Sequence, residues 1–107
     1  MLSFIKNIFK GALHKACEKG NIEAVKQHLA AGADVNVRDM IRRTPLHYAA
    51  NKEIAELLIE KGADVKAKDE GGKTPLDVAI QFKELEITNL LRVIGGKTGA
   101  ELKAEGK

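Results

Sequence analysis

The chain of 107 residues is long enough for one domain with a modest core. Its residues are 44% hydrophobic and 31% charged, which excludes a wholly disordered chain and indicates a helical protein with a large polar surface. Only 4% of the residues are aromatic and tryptophan is absent, so a core must be built from aliphatic side chains. No apolar run reaches the roughly 18 residues that a membrane-spanning helix requires.

The first ten residues are apolar along one helical face, which is formed by Leu2, Ile5, Ile8 and Phe9. This spacing predicts a short amphipathic helix at 1–10 that caps the domain by packing on its first helices. The alternative is that the segment docks on a membrane surface or on a partner helix. No A-x-A cleavage site follows it, so a secretory signal is not expected.

Cys17 is the single cysteine, which leaves no internal disulfide and fits a reducing, cytoplasmic compartment. The three histidines, His14, His28 and His47, have no cysteine or carboxylate partners at the spacing of metal ligands. No Ser-His-Asp or Cys-His arrangement is present either. We therefore expect no metal, no cofactor and no catalytic site.

A short pattern recurs along the chain. TPLHYAA at 44–50 returns as TPLDVAI at 74–80, and a degenerate copy, GALHKAC, stands at 11–17. GADV at 32–35 likewise returns at 62–65. The aligned leucines lie 33 and then 30 residues apart. This period and the T-P-L-H-x-A pattern resemble the ankyrin repeat, and the resemblance extends over most of the chain.

The resemblance implies an all-α solenoid of antiparallel helix pairs joined by β-hairpin-like finger loops. We place the repeat domain at 11–98, with repeats at about 11–38, 39–68 and 69–95. Residues 99–107 then form a charged C-terminal tail. Where the tail begins, the spacing of Thr98 and Glu101 matches a capping box, which predicts a short terminal helix.

The residues of the repeats also make local sense. Thr44 and Thr74 suit helix N-caps, and the proline after each suits the first helical position, where a missing N–H costs nothing. The resemblance implies that His14 and His47 hydrogen-bond the start of the first helix to neighbouring turns. Gly32, Gly62 and Gly95 fall just after helices, where glycine takes positive φ. Helical spacing predicts one continuous core, made of Leu46, Ala49, Leu57, Leu58, Leu76, Ala79, Ile87 and Leu90.

The motif GGKT occurs twice, at 71–74 and 95–98, and is similar to the heart of a nucleotide-binding P-loop. A P-loop also needs a glycine five residues before the second glycine of each copy, where this chain has Ala67 and Leu91. We therefore do not expect nucleotide binding. The family turn D-x-x-G-x-T-P-L instead gives Gly72 a left-handed turn position.

Repeat two departs from the pattern twice. Arg42 stands where the turn glycine belongs, which predicts a strained or rearranged finger. Three residues are missing between Ala50 and Glu53, which predicts a first helix about one turn shorter, with Asn51 at positive φ in a tight hinge. The alternative is one straight helix through 45–60, which would favour a swapped dimer over the expected monomer.

The resemblance implies a non-catalytic scaffold that binds a protein through its finger tips and the exposed surface of its first helices. In this chain those positions are Arg38, Met40, Ile41, Arg43, Asn51, Lys68, Glu70, Lys73, Gln81 and Phe82. Met40 and Ile41, beside arginines, form the strongest expected contact patch, unless they pack between the fingers. The net charge of +3 favours an acidic protein partner, whereas nucleic acid is disfavoured because no aromatic platform is present.

Overall fold

The computed structural model describes residues 11–106, so the cap predicted at 1–10 lies outside the described residues. Within this range the chain is helical and holds no strand. The helices are α1 (Ala12–Lys19), α2 (Ile22–Ala30), a 3₁₀ helix (Pro45–Tyr48), α3 (Lys52–Glu60), α4 (Pro75–Gln81), α5 (Leu85–Val93) and α6 (Gly99–Ala104). None of them is both long and apolar enough to cross a membrane.

The helices stack in two rows. α1, the 3₁₀ helix and α4 contact one another in sequence and form the row of first helices. α2, α3 and α5 form the row of second helices, and each contacts the first helix of its own repeat. The described part of the molecule is accordingly elongated, with extents of 44 × 26 × 21 Å. The all-α ankyrin solenoid predicted from the repeat pattern is confirmed.

Threonines begin the helices as predicted. Thr74 accepts a hydrogen bond from the backbone N–H of Asp77 at 3.3 Å, and Thr98 accepts one from Glu101 at 3.1 Å. The partner carboxylates bond back to the threonine N–H groups, which completes a capping box at each site. Glycines end the second helices, with φ of 95° at Gly32, 97° at Gly62 and 93° at Gly95.

The core contains six of the eight predicted residues, namely Leu46, Ala49, Leu58, Leu76, Ala79 and Ile87. The prediction is wrong for Leu57 and Leu90, which are only partly buried and pack against the margin of the core. The inner face of α3 passes instead through Ile54 and Leu58, and that of α5 through Ile87 and Leu91. Residues four apart lie on one helical face, so the intervening leucines turn to its flank.

The shortened repeat has the predicted break. Its first helix has 4 residues, against 8 in α1 and 7 in α4, and α3 begins separately at Lys52. The straight helix through 45–60 is therefore wrong. The predicted conformation of Asn51 is also wrong, because its φ of −149° and ψ of 167° are extended. An extended backbone advances about 3.3 Å per residue, against 1.5 Å in a helix. A short extended connection can therefore span the distance between the end of the 3₁₀ helix and the start of α3.

The two GGKT segments lie against each other. The hydroxyl of Thr74 donates to the backbone oxygen of Lys97 at 2.6 Å, and the N–H of Gly99 donates to Asp77 Oδ2 at 2.7 Å. A Cβ on Gly99 would overlap the backbone oxygen of Gly72, so glycine is required at this close approach. α6 therefore docks on the last repeat and buries Leu102, which is 4% exposed.

Candidate protein-binding surface

Finger two (residues 38–43) and finger three (residues 68–73) are built on the same backbone turn. In finger two, Arg42 N–H donates to Asp39 O at 2.9 Å, and Asp39 N–H donates to Arg43 O at 3.0 Å. The equivalent bonds of finger three measure 3.0 and 2.8 Å. Arg42 accordingly takes φ of 65°, where Gly72 takes 79°. The expected strain at Arg42 is confirmed, and the finger is not rearranged.

The carboxylate of Asp39 holds the turn of finger two from inside. Its Oδ1 accepts hydrogen bonds from the backbone N–H groups of Ile41 at 3.1 Å and Arg43 at 2.9 Å. Its Oδ2 accepts from the hydroxyl of Tyr48 at 2.6 Å. Burial alone would raise the pKa of Asp39, but these hydrogen bonds hold it below its ordinary value. Burial and the same carboxylate raise the pKa of Tyr48 to about 12.

Asp69 closes the turn of finger three in the same way. Its Oδ1 accepts from the N–H groups of Gly71 and Lys73, both at 2.9 Å. Its Oδ2 accepts from the Arg43 guanidinium Nε at 3.0 Å, so this carboxylate also ties the two fingers together. Burial opposes ionisation here too, yet the hydrogen bonds from Lys73 and Arg43 lower the pKa of Asp69.

Further hydrogen bonds fasten the fingers side by side. The N–H of Glu70 donates to Ile41 O at 2.9 Å. Arg38 Nη1 donates to the backbone oxygens of Arg42 at 2.8 Å and Lys68 at 2.7 Å. Because backbone and side-chain bonds both cross the gap, fingers two and three form one rigid unit.

Histidines link each first helix to the next finger, as the resemblance implied. The Nε2 atom of His14 lies 2.9 Å from the backbone oxygen of Arg43, and that of His47 lies 2.9 Å from the oxygen of Lys73. A carbonyl only accepts, so each Nε2 must donate. In His47 the other nitrogen then accepts from the N–H of Thr44 at 3.0 Å. Burial lowers the pKa of His47, which keeps the ring neutral in this bridging role.

The tip of finger two is apolar and open. Met40 is 96% exposed and Ile41 is 45% exposed, so Met40 does not pack between the fingers. At the equivalent positions of finger three, Glu70 and Gly71 are also exposed. The structure therefore presents an apolar tip beside a polar one on the same rigid support.

The ten candidate contact residues comprise six at the finger tips and the end of α4, three that are half-buried, and Asn51. Six project into solvent from the finger tips and the end of α4, namely Met40, Ile41, Glu70, Lys73, Gln81 and Phe82. Arg38, Arg43 and Lys68 are half-buried. Arg43 also lies over the Tyr48 ring, 5.6 Å from its centroid, so it holds the fingers in place more than it faces solvent. Asn51 is exposed and caps α3, where its side chain accepts from the N–H of Ile54 at 2.9 Å.

Sequence reasoning missed the residues that support this surface. Asp39 and Asp69 fix the two turns, and Tyr48 fixes Asp39. The signal was present for the aspartates, since each stands five residues before a capping threonine. No comparable spacing marks Tyr48, because repeat three has Val78 at the equivalent position.

Comparison with known proteins agrees with this architecture. The profile of ankyrin repeats in three copies matches residues 12–104. Acyl-CoA-binding domain-containing protein 4 of Oryza sativa subsp. japonica is 45% identical over 42 residues, which cover 39% of this chain and 12% of that protein. Serine/threonine-protein kinase 12 of Arabidopsis thaliana is 39% identical over 82 residues, which cover 74% of this chain and 18% of that protein.

The chain thus spans less than a fifth of the length of either of these curated relatives. Since the match to the repeat profile extends over nearly all of the described residues, the chain belongs to the ankyrin repeat family.

Proposed function

We propose that this chain is a non-catalytic protein-interaction module that binds its partner through fingers two and three and the adjoining end of α4. Ankyrin repeats are generally protein-interaction modules. The observation that carries the proposal is Met40, a large apolar side chain 96% exposed on a finger whose backbone is fixed by hydrogen bonds. A rigid apolar anchor beside arginine is typical of the residues that dominate binding energy.

The charge around this anchor favours an acidic protein partner. Arg42 and Lys73 are exposed at the fingers, whereas the carboxylates of Asp39 and Asp69 are turned inward to bind N–H groups. The solvent-facing surface of the fingers is therefore more positive than the net charge summed over all of their residues. Nucleic acid is a poorer fit because no row of aromatic side chains lines the fingers within residues 11–106.

The remaining contacts are assigned to the edge of the surface. Lys73 Nζ lies 3.4 Å from Gln81 Oε1, which connects finger three with the last turn of α4. Phe82 follows directly and is 61% exposed. A partner that covers the fingers and reaches the first helices would meet these side chains next, with Asn51 at the margin of the contact.

A cytoplasmic monomer without catalytic activity completes the proposal. Cys17 is buried, and burial raises its pKa to about 12, so its thiol stays protonated and is a poor nucleophile. The helix pair of repeat two closes within the chain, since Leu46 and Ala49 share one core with Leu58. This closure supports a monomer, because the apolar side chains of repeat two are buried without a second chain.

Affinity capture from the native host lysate tests the proposed surface. We expect Met40→Asp to lose the proteins captured by the parent chain. The matched control is Val93→Asp, which places the same charge on an apolar side chain of α5 that is 84% exposed and distant in sequence from the fingers. Circular dichroism verifies that both variants fold. Retention of the same proteins by Met40→Asp, or equal loss in both variants, would contradict the proposal.

A further inference from the structure

The shortened first helix of repeat two leaves a cleft in the row of first helices. The 3₁₀ helix stops at Tyr48, whereas α1 continues to Lys19 and α4 to Gln81. The cleft has a volume of about 270 Å³ and opens between Glu18, near the end of α1, and Glu84, just after α4. The 3₁₀ helix ends at this cleft, which Tyr48, Ala49 and Ala50 help to line.

The lining of the cleft combines apolar side chains with polar and charged groups. Ala49, Ala79, Val78 and Ile87 contribute to its lining, together with Tyr48. Its volume lies below the roughly 300–1,000 Å³ of sites that enclose small molecules. A single large apolar side chain of a bound peptide is a better match for this size.

The rim of the cleft carries unmatched negative charge. The carboxylates of Glu18 and Glu84 form no hydrogen bond or ion pair with any residue in 11–106. The cation among the lining residues, Arg43, is already bound to Asp69 at 3.0 Å and lies over Tyr48. Burial without a compensating cation also raises the pKa of Glu84. A positive group on a ligand would supply the missing charge.

We infer that the cleft binds a peptide segment of the partner in which a leucine, methionine or phenylalanine is flanked by lysine or arginine. The apolar side chain enters between Ala49 and Ala79, and cations on either side of it in the peptide meet the carboxylates of Glu18 and Glu84. This inference rests on the proposed protein-binding role, and it specifies the residues of a second segment of the same partner. The cleft favours basic residues in that segment, whereas the fingers favour acidic residues.

Selection of random dodecapeptides displayed on phage against the folded chain tests this inference. We expect enrichment of sequences with a large apolar residue beside lysine or arginine. Synthetic copies should bind the double variant Glu18→Gln, Glu84→Gln about tenfold more weakly, because both rim charges are lost. Val93→Asp is the control and should leave their affinity unchanged, because Val93 is exposed on α5 and does not line the cleft. A variant with three residues inserted after Ala50 should also lose binding, since a longer helix fills the cleft.

The outcomes separate the cleft from the fingers. Failure to enrich any sequence, or enrichment of sequences whose binding ignores both glutamates, overturns the cleft. Enrichment of acidic sequences that bind less well to Met40→Asp overturns the cleft and leaves the finger surface supported. If the inserted variant fails to fold, the glutamate variant decides the matter alone.

Discussion

Fingers two and three have one backbone and two different surfaces. Both turns are closed by an aspartate that accepts two N–H groups, at 2.9 to 3.1 Å. At their tips, however, Met40 and Ile41 stand where finger three has Glu70 and Gly71. The inward residues fix the shape of the loop, so the outward ones are free to differ. Finger two accepts a strained Arg42 in the same conformation that Gly72 adopts without strain.

The largest expected effect concerns the core beneath the two fingers. Leu58→Ala removes a fully buried side chain and should lower the free energy of unfolding by about 2–5 kcal/mol. Leu57→Ala is its neighbour and control, and should cost less because Leu57 is only partly buried. Urea denaturation followed by circular dichroism measures both. Equal losses would mean that the face of α3 turned to the core is misassigned.

Removing the turn aspartates should have the next largest effect. Asp69→Ala leaves two N–H groups and the Arg43 guanidinium without their acceptor, and should cost about 1–3 kcal/mol. Asp39→Ala leaves two N–H groups and the Tyr48 hydroxyl, so we expect a similar or smaller loss. The same denaturation experiment compares them. A loss near zero for either variant would show that its finger does not depend on the carboxylate.

These aspartates also predict how stability changes with pH. Their folded pKa values are lowered, so each contributes stability above its unfolded pKa of roughly 3.9. That contribution is lost as the pH falls from about 4 through the lower folded pKa. The free energy of unfolding of Asp69→Ala should therefore decline less than that of the parent over this range. Identical pH profiles would contradict the assigned role.

A smaller effect is expected from exchanging the residues at the left-handed positions. Arg42→Gly relieves a strained backbone, and should raise the free energy of unfolding by about 1 kcal/mol after the added flexibility of glycine is subtracted. Gly72→Arg is the reciprocal change and should lower it by a similar amount. Thermal denaturation of the two variants shows whether each substitution raises or lowers the stability. Stabilisation by Gly72→Arg would show that the turns are not equivalent.

We expect neither GGKT segment to bind ATP. The hydroxyl of Thr74 donates to Lys97 O, and that of Thr98 accepts from Glu101 N–H, so both threonines are already used within the fold. Isothermal titration with magnesium and ATP should show no saturable heat. Saturable binding that disappears in Lys73→Ala or Lys97→Ala would contradict this.

The sequence was most informative where one residue has one local role. The capping threonines, the prolines that follow them and the glycines after the second helices are such residues, and each lies where the repeat pattern placed it. Asn51 was mispredicted because two conformations reverse a chain, and the extended one also lets its side chain cap α3. Choosing between them requires the positions of the flanking helices, which no local pattern contains.

The candidate surface was predictable in outline and not in detail. The repeat pattern placed Met40 at a finger tip but left open whether it packs between the fingers, and the structure shows it 96% exposed. Arg38 and Arg43 stood in equally exposed positions of the pattern, yet both turn back to bind the neighbouring finger. These bonds join residues 30 and 26 positions apart, and they form only after the repeats have stacked.

The two fingers can be compared directly by the affinity of a purified captured partner for Met40→Ala and Glu70→Ala. We predict at least a tenfold loss for Met40→Ala, about 1.4 kcal/mol, because an apolar anchor is removed from a rigid support. We predict less than about a twofold change for Glu70→Ala, since an exposed charge at the edge of an interface contributes little. Equal losses, or a larger one for Glu70→Ala, would contradict the claim that the apolar tip of finger two is the centre of the binding surface.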